Sequence, residues 1–387
     1  MYPISFSGPV TLAIALLAIF FLPPASANAW MTPPRPQAPQ AATPQATVEG
    51  YQVTIPAMGV RFRLEFYCES AEKAEAAVAS SRQLLADLEH TFTDYDSSSE
   101  AMRLCYLNSG DRFPASFHFL ELAQLSQQLT RKTNGCFDAT LGEITQLWRT
   151  RRRHPDQAES LEQPLELARQ ALQQRDKPLF KIDLPHGVFQ KGPSRFRFDF
   201  GGIAKGYAAD QLLEHLRTEY AIQSALIDAS GDVTTSNPPP GQAGWQVGLS
   251  QIDPDQGLLH RIHLAHYSVA SSGDARQFWK SGERRESHLL DPRSGQSLPG
   301  HHLTIAAHPR GDIADALASA LSVCRQDEFQ QIADRFPELA AIRLQRTPEG
   351  DLKVDQTDNW EDWLNLHLLE QPSEGSVDRK SNGKTGR

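Results

Sequence analysis

Phe198-Asp199-Phe200-Gly201-Gly202-Ile203-Ala204-Lys205-Gly206-Tyr207-Ala208-Ala209-Asp210 reads as a strand that ends in glycines and opens into a helix. Such a junction lets backbone N–H groups approach a phosphate, with the helix dipole favouring the anion and Lys205 adding a point charge. It matches neither a Walker A loop nor GxGxxG, and a tight turn whose glycines serve packing is the alternative. Outward from it, alternating apolar residues (Tyr51, Val53, Ile55, then Val60, Phe62, Leu64, Phe66) predict a hairpin bent at Met58-Gly59. Helices are expected over 71–89, 114–133 (stopped by Asn134-Gly135), 164–174, 203–216 and 313–323. Strands are expected over 196–200, 225–229, 245–249, 262–265, 303–307 and 341–344. Strands and helices mixed without a regular βαβ repeat predict an α+β fold, a mixed or antiparallel sheet core with packed helices.

The chain of 387 residues is 40% hydrophobic, enough for one large core or two lobes. A net charge of -9 excludes a general nucleic-acid binder, which needs a basic face. The basic run Arg149, Arg151, Arg152 and Arg153 is read as a solvated helix end. Residues 10–22 are apolar apart from Thr11, too short to span a bilayer comfortably at roughly 20 residues, and lead into small-residue cleavage sites. The segment 1–29 is therefore expected to be a signal peptide directing the chain to the periplasm. An uncleaved N-terminal anchor, giving loose membrane association, is the alternative. A Pro-rich linker over 30–47, a folded domain over 48–370 and a disordered tail over 371–387 complete the expected organisation. Cys68, Cys105, Cys136 and Cys324 form no metal-binding pattern, and buried free thiols are the simplest reading.

Two further patterns carry chemistry. Asp315 and Ser319, four apart on an expected helix, turn two hard oxygens the same way, as Mg²⁺ prefers, although such pairs also occur as plain helix-surface neighbours. His288, in His288-Leu289-Leu290-Asp291-Pro292-Arg293-Ser294-Gly295, enters a turn where an imidazole could take a proton from a hydroxyl; a hydrogen-bonded turn histidine is the alternative. His260, His263 and His266 recur every three residues, which on a strand scatters them over both faces and argues against zinc.

Taken in order, these segments resemble the ApbE-type FAD:protein FMN transferases over roughly residues 50–345. Met58-Gly59, Tyr95-Asp96 with Ser99-Glu100 and Arg103-Leu104, Gly135 to Thr140 with Leu147-Trp148, the Asp199 to Asp210 junction, Ser272-Gly273-Asp274, the His288 turn and Asp315 to Ser319 carry the likeness. The resemblance implies an ApbE-like (T-fold-like) architecture in which Met58, Tyr95, Cys136, Phe137, Asp138, Asp199, Lys205 and Leu290 line an FAD site. It also implies that the Gly202 carbonyl, Asp315 and Ser319 hold Mg²⁺, and that His288 is the base. FAD is then the substrate, and the partner an exported redox protein carrying a Thr or Ser acceptor. The pattern departs at Val60, Cys105, Glu143, Ser230 and residues 275–277, while Ser319 stands for the commoner Thr. A hydrolase releasing FMN and AMP, or an FAD-binding module without turnover, are the competing functions.

Overall fold

The computed structural model describes residues 48–154, 156, 159–175, 177–274, 278–281, 284–347 and 350–369. The expected leader, linker and tail fall outside them, as do residues 275–277. Two strands, β1 (Glu49–Ala57) and β2 (Val60–Cys68), form the expected hairpin. Met58 and Gly59 turn it with φ of 51° and 72°, the paired positive values that a two-residue hairpin turn needs. The chain continues through α1 (Ala71–Phe92), α2 (Glu100–Cys105), β3 (Arg112–Pro114), α3 (Phe117–Lys132), α4 (Gly142–Arg153) and α5 (Glu162–Gln173). It then forms β4 (Phe180–Asp183), β5 (Val188–Lys191), α6 (Ala204–Tyr220), β6 (Ala225–Ala229), β7 (Val233–Thr235), β8 (Trp245–Ser250), β9 (Leu258–Leu264) and β10 (Ser268–Gly273). Last come β11 (Phe278–Ser281), β12 (Arg284–Asp291), β13 (Gln296–Pro299), β14 (His301–His308), α7 (Gly311–Val323), α8 (Gln326–Ala333), β15 (Ala340–Arg346), β16 (Leu352–Gln356) and α9 (Trp360–His367).

Eight strands in the order β1-β2-β6-β7-β10-β14-β15-β16 build one sheet, antiparallel at every pairing. The α+β expectation is met. Both faces of the sheet are covered. Phe62, Leu64, Ile227, Ala229, Ala270, Ala306 and Ala341 face a core shared with α1, α6 and α7. Leu226, Val269, Leu303, Ile305, Ile342 and Leu344 face a second core closed by the β8–β9 hairpin and by Trp360 and Trp363 of α9. Burial on both sides is why β14 and β15 read as apolar runs without clean alternation.

Three expectations are corrected. The segment 196–200 is extended but belongs to no sheet: its ladder contact is an isolated parallel bridge between Leu141 and Arg197. Its alternation serves packing, with Phe196, Phe198 and Phe200 stacked among Phe119, Phe180 and Phe189. Its backbone bonds go to the neighbouring loop, Asp199 N donating to Ala139 O at 2.8 Å and Arg197 O accepting from Gly142 N at 2.9 Å. The helix expected from 114 starts at Phe117, because Pro114 ends β3 and Ser116 caps the helix by accepting from Phe119 N at 3.2 Å. Arg149 is no solvated helix end, since it lies partly buried between Asp94 and Asp199.

Helix α7 is secured at both ends. At its start, Asp210 of α6 accepts from Gly311 N at 2.9 Å and Asp312 N at 3.0 Å, taking two amides that have no partner inside the helix. At its end, the buried Arg343 guanidinium donates to Leu321 O at 2.8 Å and Cys324 O at 2.7 Å while pairing with Asp355. Arg343→Met strips a buried carboxylate and two helix carbonyls of their partner. It should destabilise the protein by about 3 kcal/mol, read from urea unfolding.

Burial pushes His302 and His308 of β14 down to about 4 from an ordinary 6.5. As pH falls, the unfolded chain therefore takes up these protons first. The stability tied to the neutral rings is complete above pH 6.5 and is lost as pH drops towards 4. Asn can accept the Arg310 N–H that His308 Nδ1 accepts at 3.0 Å. The fall in Tm between pH 7 and pH 4.5 should thus be smaller in His308→Asn than in the parent.

Candidate active site

The glycine junction of residues 198–210 comes to lie where α6 crosses α7. Gly206 makes the crossing close: a Cβ there would stand 2.1 Å from Gly311 O. At this distance the Asp315 carboxylate accepts from Gly206 N at 3.1 Å and meets Lys205 Nζ at 3.2 Å through both oxygens. The ammonium also pairs with Asp232 at 3.1 Å, and Asp232 in turn accepts from Ser271 N at 3.0 Å. Burial opposes the charge on Lys205, but Asp232 and Asp315 outweigh it and hold the ammonium above its ordinary range. Burial raises Asp232 to about 6, against the pull of Lys205. One ammonium thus stands between two carboxylates, leaving the cluster short of one positive charge.

One turn along α7, Ser319 Oγ lies 3.4 Å from Ser272 Oγ of β10. A Cβ on Gly202 would approach Ser319 Oγ to 3.1 Å and the Phe137 ring to 3.7 Å, so a side chain at 202 would crowd this spot. Gly202, Lys205, Asp315, Ser319 and Phe137 are therefore gathered together. The Gly206 amide is taken by Asp315 at 3.1 Å, so it is not among the junction N–H groups free to meet a phosphate.

Most of the other expected residues are held by contacts of their own. Asp199 accepts from Gly201 N at 2.9 Å and from Arg149 at 3.0 Å, and Arg149 also bonds Asp94 and lies under the Tyr95 ring at 4.8 Å. Asp138 is turned into its own loop, accepting from Thr140 N at 2.8 Å and Oγ1 at 2.6 Å, with Arg175 beyond. Cys136 is buried, and burial pushes its thiol up to about 12, so it is held as a neutral thiol. All four cysteines are free and buried. Met58 rests partly on the main core at the hairpin tip, which Arg61 ties to the Asp232 turn through a bond from its N–H to Ser230 Oγ at 3.3 Å. Leu290 packs with Ile144, Trp148 and Leu165, and His288 lies two residues before it on β12, a strand packed against α4 and α7.

Three participants are absent from the expected set. In the sequence Asp232 stands in a Ser-Gly-Asp stretch, Ser272 opens a second one, and Arg149 stands within a basic run.

Fold and site together describe an α+β protein with a charged, oxygen-rich centre at a glycine junction. The chain belongs to the ApbE family, which it matches over residues 58–343. It is 26% identical over 330 residues to an FAD:protein FMN transferase of Escherichia coli, covering 81% of this chain and 89% of that one. A second FAD:protein FMN transferase, from Haemophilus influenzae, is 26% identical over 275 residues, 69% of this chain and 78% of the relative. The solved structure of the flavin transferase ApbE from Vibrio cholerae shares the fold, with a TM-score of 0.69 at 19% identity over 84% of this chain and all of that one.

Proposed function

We propose that the protein is an exported, Mg²⁺-dependent FAD:protein FMN transferase. It cleaves FAD, attaches the FMN half through a phosphoester to a Thr or Ser of a redox protein, and releases AMP. The observation that carries this reading is the Lys205–Asp232–Asp315 cluster set against Gly202 and Ser319, in a chain of this family.

The residues present fit a hard divalent cation. Asp315 supplies a buried carboxylate, Ser319 a hydroxyl, and Gly202, with no side chain to crowd Ser319, its own carbonyl. Bound there, Mg²⁺ would neutralise pyrophosphate charge and polarise the phosphorus under attack. Lys205, its ammonium secured by Asp232, adds a fixed positive charge for the oxygens on which charge builds. Met58, Tyr95, Cys136, Phe137, Asp138, Asp199 and Leu290 surround the dinucleotide, mostly from loops that α3, α4 and α6 hold in place.

In the reaction, the acceptor hydroxyl oxygen bonds to the FMN-side phosphorus as the bond from that phosphorus to the bridging oxygen breaks. The bridging oxygen leaves with AMP. His288 takes the proton of the hydroxyl. In such a displacement, alignment and charge neutralisation contribute more than the base, so Lys205 and Asp315 should matter more than His288. The apolar segment within the first 29 residues supports the export reading, and with it an acceptor among exported redox subunits; the alternative is an uncleaved anchor.

The test mixes purified protein, FAD, Mg²⁺ and an exported redox subunit of the same organism, and follows flavin fluorescence on the denatured acceptor. Fluorescence that a chelator abolishes supports the reading. An unlabelled acceptor across all such subunits refutes it, and free FMN formed without an acceptor would identify a hydrolase.

A further inference from the structure

Arg149 stands at a place that a basic helix end does not explain. Gly142 starts α4 hard against the extended segment, where a Cβ would come within 2.6 Å of Phe198 O. Two turns on, the Arg149 side chain reaches back over that segment. One guanidinium nitrogen bonds Asp94 and the other bonds Asp199 at 3.0 Å. Asp199 itself holds Gly201 N at 2.9 Å, and Arg149 Nη2 lies 4.0 Å from where a Gly201 Cβ would be. Burial works against its charge, but Asp199 and Asp94 outweigh that and keep it fully protonated.

Arg149 Cζ lies over the Tyr95 ring, 4.8 Å from its centroid, and Arg153 Cζ, one turn further along α4, lies over it at 5.7 Å. Tyr95 is nonetheless 67% exposed, an unusual state for a ring so well supported from below. A planar cation held by two carboxylates cannot tilt freely, so the ring against it is steadied while most of its surface stays open.

We infer that Arg149 is a positioning residue that fixes Tyr95 as a stacking platform for a fused aromatic ring of the substrate, beside the glycine junction. This rests on the flavin-transferase reading. The clasp joins three stretches, 94–95, 149 and 199–201, and so couples the platform to the junction through one side chain.

The test is equilibrium binding of FAD, read by flavin fluorescence, to the parent, Arg149→Met, Arg149→Lys, Tyr95→Leu and the Tyr95→Leu/Arg149→Met double variant. Arg149→Met should weaken binding by about tenfold, the scale of a lost cation–π and stacking contact. Arg149→Lys, which keeps charge but loses the fork, should fall between. In the double variant the loss should equal that of Tyr95→Leu alone, because the arginine acts through the ring. Separate titrations with FMN and AMP then show which ring uses the platform, as the loss should be confined to one of them. Arg149→Met binding within twofold of the parent, or losses that add in the double variant, would overturn the inference even if the parent labels its acceptor. Failure of the parent itself to bind FAD would sink the underlying reading and this one with it.

Discussion

Asp315→Ala will leave the acceptor without flavin under conditions in which the parent protein labels it, a loss of at least about 10³-fold. The size follows from how many tasks meet in one carboxylate. It meets Lys205 Nζ at 3.2 Å through both oxygens, accepts the Gly206 amide at 3.1 Å, and would supply the single carboxylate of the proposed donor set with Gly202 and Ser319. Without it the ammonium keeps Asp232 and the Gly201 carbonyl at 3.4 Å, and the proposed hard-cation site loses its one formal charge. Asp315→Asn separates the causes. The amide can still accept from Gly206 N, so Tm should change little, whereas charge is gone and labelling should fall nearly as far. Labelling by Asp315→Asn above about a tenth of the parent rate would show that the carboxylate serves packing alone.

Gly206→Ala is expected to be the most damaging single methyl in the molecule, costing about 4 kcal/mol or more and removing activity with it. Overpacking usually costs about 1–3 kcal/mol, because a neighbouring side chain can turn aside. Here the Cβ would lie 2.1 Å from Gly311 O and 2.5 Å from its carbonyl carbon, so what must move is the backbone of α7. That helix is fastened at its start to Asp210 and at its end to Arg343, which leaves it little freedom to shift. Relief can come only by separating α6 from α7, and this pulls Lys205 from Asp315. Urea unfolding reads the stability, and the Lys205 to Asp315 separation in a structure of the variant reads the displacement. A loss under about 1 kcal/mol with activity intact would show that the helices yield easily.

Much of the fold could be read along the chain where neighbouring residues determine it. The β1–β2 hairpin follows from alternation and from Gly59, which takes positive φ freely and is joined there by Met58, and α3 stops at Asn134 and Gly135, both residues that accept positive φ. The segment 196–200 misled because three phenylalanines two apart look the same whether they pack against a sheet's core or against Phe119, Phe180 and Phe189. Only the backbone partners differ, and these lie in the 139–142 loop.

The candidate site divides along the same line. Gly202 and Lys205 belong to the glycine junction and Asp315 and Ser319 to an i, i+4 pair; the family resemblance joins the two, and the structure gathers them. Arg149 did not, since its partners Asp94 and Asp199 lie 55 and 50 residues away and nothing in a run of arginines tells which one turns inward. Asp232 is similarly joined to Lys205 only by the folding of β6 and β7 against α6. Long-range ion pairs of this kind have no local signal, and they are what convert a glycine junction into a charged centre.

The central claim is most directly tested by measuring, in one reaction with FAD, Mg²⁺ and an exported acceptor, the AMP released and the FMN covalently bound to the acceptor. The account predicts equal amounts, with both lost in Asp315→Ala. AMP matched by free FMN, or FAD that remains bound and intact after prolonged incubation, would contradict it.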